Sequence, residues 1–89
     1  MVVVAIAGFG WWGQHMVRRL AGNPSIHVRM VIEPSEARRA QVRDLGLTCV
    51  AEFEAALADP SIDAIILTTP NTMHESQVIS AAAAGKHVF

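Results

Sequence analysis

Apolar residues in this chain come in short unbroken runs, separated by stretches where they recur at helical spacing. Residues 2–7, Val-Val-Val-Ala-Ile-Ala, form the first run, and Ile62 to Thr68 is almost as apolar. Short runs without polar alternation predict strands covered on both faces, as in a parallel sheet. Between the first two runs, Trp12, Met16, Val17, Leu20 and Ala21 share one helical stripe, while Gln14, His15, Arg18 and Arg19 face away. The predicted helix starts near Trp11–Trp12, and Gly22-Asn23-Pro24 stops it.

The pattern then repeats. A second strand is predicted from Ile26 to Glu33, with Ser35 as N-cap of a helix over Glu36 to Leu45 and Gly46 just past its end. A short third strand, Thr48 to Val50, leads to a brief helix over Phe53 to Ala58 that Asp59-Pro60 halts. The fourth strand is Ile62 to Thr68. Thr69-Pro70-Asn71 turns into a helix over Thr72 to Ala84, capped by Asn71 or Thr72, with Glu75 placed to complete a capping box. Gly85 ends that helix, and Lys86-His87-Val88-Phe89 opens a fifth strand. Strands alternating with helices predict an α/β, doubly wound (Rossmann) parallel sheet, and right-handed crossovers set the strand order 3-2-1-4-5. Ligands in such sheets bind at the strands' carboxyl ends where the winding reverses, between strands one and four.

That edge carries the candidate chemistry. Gly8-Phe9-Gly10-Trp11-Trp12-Gly13 is a G-x-G-x-x-G turn leaving a strand and opening a helix, and Glu33 follows Gly13 by 20 residues. Gly8 permits the tight turn, Gly10 lets the backbone approach a pyrophosphate, and Gly13 lets helix and sheet pack closely. The helix N-terminus adds free N–H groups and partial positive charge. Glu33 is expected to accept hydrogen bonds from the adenosine ribose, which favours NAD; Ser35 and Arg38 could instead host a 2′-phosphate, leaving NADP open. For Arg39 an ordinary solvated helix face is expected. Phe9, Trp11 and Trp12 join the candidate cofactor-binding set, Trp12 also fitting the buried stripe and Trp11 projecting toward the diphosphate or the nicotinamide. Thr68, Thr69, Pro70 and Asn71 leave strand four at the same edge, and His74 follows one turn into the next helix. His15, His27 and His87 read as structural or exposed. No metal site is predicted, because histidines and acids lack ligand spacing.

Composition narrows the class. At 89 residues the chain is one small domain, 52% hydrophobic and 17% charged, a folded composition and not a disordered one. A net charge of -1 leaves no basic stripe for a nucleic acid. The single cysteine, Cys49, reads as a small buried hydrophobe and suits a reducing compartment. The N-terminal run lacks a basic leader and passes straight into the glycine turn, and no stretch reaches the roughly 18 apolar residues of a membrane span, so a cytoplasmic location is expected.

Gly8-Phe9-Gly10-Trp11-Trp12-Gly13, Glu33, Asp59-Pro60-Ser61-Ile62-Asp63-Ala64, Thr69-Pro70-Asn71 with His74, and Ala84-Gly85-Lys86-His87-Val88 together resemble the glucose–fructose oxidoreductase / inositol dehydrogenase / rhizopine catabolism (Gfo/Idh/MocA) family. The resemblance covers essentially the whole chain. It implies an N-terminal Rossmann domain binding NAD or NADP, followed by a larger sheet domain that shapes the substrate pocket. It also implies hydride transfer on sugars, inositols or related polyols, usually by homo-oligomers. In that family Gly-Lys-His-Val continues into a Glu-Lys-Pro motif whose lysine assists proton transfer. Residues 1–89 stop before it, so the expectation is the dinucleotide-binding part of a longer enzyme, holding nucleotide without turnover and with no catalytic residue of its own. The alternative is a non-catalytic nucleotide-sensing or self-associating module. An open apolar edge at the fifth strand would favour pairing with another copy.

Overall fold

A computed structural model describes residues 1–89, the side chain of Asn71 excepted. Its elements follow the predicted alternation: β1 (Val2–Ala7), α1 (Trp11–Leu20), β2 (Ile26–Ile32), α2 (Glu36–Asp44), β3 (Thr48–Val50), α3 (Phe53–Ala58), β4 (Ala64–Leu67), α4 (Asn71–Ala83) and β5 (His87–Val88). The five strands are parallel and ordered β3-β2-β1-β4-β5. Winding therefore reverses between β1 and β4, as expected from right-handed crossovers.

The sheet divides the core in two. Val4 and Ile6 of β1 point to one face, joined by Val17 of α1, Val42 of α2 and Phe9. Ala5 and Ala7 point to the other, with Ala56 of α3, Ala81 of α4 and Ile65 of β4. This alternation follows from the period-2 side-chain geometry of a strand. A register shift in the β1–β2 pairing lies between Val4 and Ala5, where Val28 and then Met30 are the partners, so Arg29 is passed over. Its guanidinium lies 4.0 Å from Asp59 at the surface.

Helix ends obey their local signals, with one exception. Ser35 caps α2, its hydroxyl accepting the Arg38 amide at 3.4 Å. Gly22, Gly46 and Gly85 take positive φ just past α1, α2 and α4, as residues lacking a Cβ do most easily. The exception is α4, which begins at Asn71 behind Pro70 with no side-chain cap, so the Thr72–Glu75 capping box does not form. Proline presets φ near −65° and has no N–H to satisfy, which suits it to the entry of a helix. Lys86 ties β5 to the opposite loop, its ammonium donating to the Asp59 and Ile62 carbonyls at 2.7 Å each.

Candidate functional site

The glycine turn is held from both sides. The Gly8 amide donates to the Ile32 carbonyl at 2.8 Å, and the Thr68 amide donates to the Ala7 carbonyl at 2.9 Å. The Thr68 hydroxyl donates to the Ala7 carbonyl at 2.7 Å, with the Gly8 carbonyl oxygen 3.1 Å away. Gly8 sits at φ +100°, and a Cβ there would come within 2.8 Å of the Thr68 hydroxyl oxygen. Only glycine adopts that conformation in that space without strain.

Gly10 is different. A Cβ on it would meet Arg38 Nη1 alone, at 3.9 Å, so packing does not require glycine here. What a methyl group would occupy is the wall of a cavity of about 640 Å³ at the carboxyl ends of β1, β2 and β4. Gly10 is also the N-cap of α1, with no side-chain cap and no acid in the first turn. The positive end of α1 thus faces that cavity with no acid of its own first turn against it.

Of the residues singled out from the sequence, Gly8, Gly10, Trp12, Glu33, Arg38, Thr68, Thr69 and Pro70 line the cavity. Pro34 and Met73 line it too and were not foreseen. Pro34 follows Glu33 directly, and Met73 lies in the first turn of α4, so proximity to the named motifs was the available signal. Phe9 turns inward and is 3% exposed, taking part through its backbone. Gly13 is buried beneath the turn. The side chain of Asn71 lies outside the described residues.

Three expectations need correction. Trp12 does not join the buried stripe of α1: it is 61% exposed, and the buried positions are Gly13 and Val17. The stripe centres on Gly13 because the helix can approach the sheet only where a side chain is missing. Trp11 does not line the cavity; it stacks on His15 with ring centroids 5.3 Å apart and meets Trp12 edge-on at 4.7 Å. Arg39 is likewise more than a solvated helix face. Its guanidinium donates to the Glu33 and Pro34 carbonyls at 3.0 and 2.6 Å and forks onto Glu36.

Glu33 is 3% exposed at the end of β2, and both its oxygens are engaged by backbone. Oε1 accepts the Phe9 amide at 2.9 Å, and Oε2 accepts the Ser35 amide at 2.8 Å. Its carboxylate thereby joins the glycine turn to the entry of α2. Arg38 Nη1 stands 3.8 Å from Oε1, its side chain half exposed over the cavity. Ser35 is occupied as a cap and does not reach the cavity.

A second cavity, of about 460 Å³, adjoins the first and shares Trp12, Thr68 and Thr69 with it. His74 lines this one, with Ile66 and Phe89. Gln77, which the sequence reading passed over, is buried behind it at 8% exposure. A polar residue four positions before buried Ala81, on the inward face of α4, was the signal for it. Among the described residues no cluster of His, Cys, Asp and Glu could hold a metal ion, and no helix is long and apolar enough to cross a membrane. Cys49 is half-buried, and burial pushes its thiol up.

Residues 2–89 match an oxidoreductase family with an NAD-binding Rossmann fold. The chain is 36% identical over 89 residues to a scyllo-inositol 2-dehydrogenase (NAD(+)) of Bacillus subtilis, covering 96% of this chain and 26% of that protein. Among solved structures, an NAD-binding protein from Listeria innocua superposes with a TM-score of 0.92 at 33% identity, over 98% of this chain and 26% of the other. Biliverdin reductase from Synechocystis, solved with biliverdin and NADP+, does so with a TM-score of 0.90 at 30% identity, over 98% and 28%. The chain spans about a quarter of the length of the curated relatives it matches.

Proposed function

Because the chain belongs to the Gfo/Idh/MocA oxidoreductase family, we propose that it is the dinucleotide-holding part of an enzyme moving hydride between a nicotinamide cofactor and a sugar, inositol or related polyol. The observation that carries this is Gly10: a glycine the fold does not need, on a cavity wall at the open end of a helix. Absence of a side chain there lets backbone amides reach a diphosphate, and the helix end supplies the matching charge.

The cofactor, when bound, supplies the hydride chemistry. The chain's own residues bind and orient it. The glycine turn and α1 hold the diphosphate; Glu33 and Arg38 face the adenosine side; Trp12, Thr68, Thr69 and Pro70 wall the passage to the second cavity. Glu33 favours NAD(H), since a buried carboxylate opposes a 2′-phosphate. Arg38 partly offsets that charge and keeps NADP(H) within reach. The named relatives point to both cofactors.

Residues 1–89 hold nucleotide without turnover on this reading, the substrate-shaping domain being a separate part of a longer enzyme. A lone thiol suits the cytoplasm. A second reading is a non-catalytic nucleotide-sensing or self-associating module. Calorimetric titration with NADH and NADPH tests the first reading: saturable binding of at least one, NADH the tighter, is expected. No binding of either at about 1 mM, an affinity of only about 4 kcal/mol, would overturn it.

A further inference from the structure

Thr69 stands where the two cavities meet, and two side chains of α4 grip it. His74 Nε2 lies 2.6 Å from the Thr69 carbonyl oxygen, and the Thr69 hydroxyl donates to Gln77 Oε1 at 2.5 Å. A carbonyl oxygen can only accept, so Nε2 carries the proton in this contact. Gln77 is 8% exposed, and a buried amide is retained only where it is hydrogen-bonded. His74 and Gln77 are three residues apart, hence on one face of the helix. The neighbouring Thr68 is fixed separately, by the glycine turn. The end of β4 is thus held from two directions, one residue by each.

We propose that His74 and Gln77 are positioning residues: they lock Thr69 so that the wall between the cavities keeps its shape and sets the nicotinamide half of the dinucleotide. The adenosine diphosphate half depends on the glycine turn, Glu33 and Arg38 instead. His74 is then not a contact to cofactor but the support of one. This rests on the cofactor reading above.

Titrations of His74→Phe and Gln77→Leu with NADH and with ADP-ribose, which lacks the nicotinamide ring, separate the two halves. NADH affinity should fall about tenfold or more, ADP-ribose affinity by less than about twofold. His74→Gln, which keeps an N–H at similar reach, should recover most of the loss. Should Gln77→Leu fail to fold, Thr69→Val removes the same bond from the less buried partner and must give the same split. Equal losses for both ligands, or none for NADH, overturn the proposal. A wild-type chain that binds neither ligand sinks the cofactor reading and this proposal with it. Nitrogen-15 spectra of the His74 ring stand apart from any ligand: the neutral form should be the Nε2–H tautomer, and the Nδ1–H tautomer would refute the grip.

Discussion

A Cβ on Gly13 would lie 2.0 Å from the carbonyl oxygen of Gly8. The first turn of α1 therefore rests directly on the backbone of the glycine turn, closer than any side chain allows. Neither partner is a flexible tip that could swing aside. Gly13→Ala must push α1 off the sheet or distort β1's exit, and overpacking of this kind costs about 1–3 kcal/mol or more. A lowered melting temperature is expected, with cofactor binding lost alongside; a variant melting like wild type would mean α1 is not seated as described.

Gly10→Ala should behave in the opposite way. Gly10 has an extended backbone, φ -75° and ψ -159°, which alanine tolerates, and its added methyl meets nothing closer than Arg38 at 3.9 Å. Any loss of stability should stay within about 1 kcal/mol, the scale of placing alanine at an N-cap. Cofactor affinity should fall about tenfold or more, because the methyl occupies the space a diphosphate needs. Calorimetry and a melt on the same sample decide it. The paired outcome, Gly13→Ala losing fold and Gly10→Ala losing only ligand, divides the glycines by what each one serves.

Much of this arrangement was legible beforehand, and the misses have physical causes. Strand order and the glycine helix stops came through because each depends on local signals and on handedness. Trp12 was misplaced because periodicity reports a stripe's existence better than its centre, and here the centre is set by a residue with no side chain, Gly13. Glu33 lies just past the end of β2, close to where the sequence puts it, but the sequence suggests a ligand acceptor and not a brace. Its partner Phe9 is 24 residues away, and only the fold brings the amide to the carboxylate. Gln77 went unnoticed because a glutamine in a helix ordinarily faces water. Its burial depends on Thr69 being there to satisfy it.

On the proposed function Glu33 has a second job besides bracing the turn, and substitution should show both. Glu33→Gln leaves one carbonyl oxygen for two backbone donors, so either the Phe9 or the Ser35 amide faces an NH₂ group. Leaving a buried donor unsatisfied costs about 1–3 kcal/mol. Removing the charge also lifts the repulsion toward a 2′-phosphate and frees Arg38, so the NADPH-to-NADH affinity ratio should rise. A stability loss with no change in that ratio would make Glu33 a brace alone.

Acid should loosen the fold through two carboxylates: Glu36, whose partner Arg39 reaches the Glu33 and Pro34 carbonyls, and Asp59, in the loop that enters β4 at its amino end. Arg43 and Arg39 bond Glu36 and hold its carboxyl below the ordinary value of 4.5; Ser61 does the same for Asp59, below 3.8. In each case the folded state keeps the proton off at pH values where the unfolded chain would bind it. Their contributions are therefore complete above the ordinary values and disappear as pH falls through the lowered ones. Both groups lie near solvent, so salt should blunt the effect. Glu36 matters more to the site, because its partner Arg39 also holds the Glu33 and Pro34 carbonyls beside the cavity. Protonating Glu36 removes the charge that strengthens its bonds to that guanidinium. Melting temperatures followed from about pH 6 to pH 2 should fall somewhat more for wild type than for Glu36→Gln with Asp59→Asn, which keep acceptors but cannot titrate. Parallel acid limbs would show that these two groups do not carry the pH dependence.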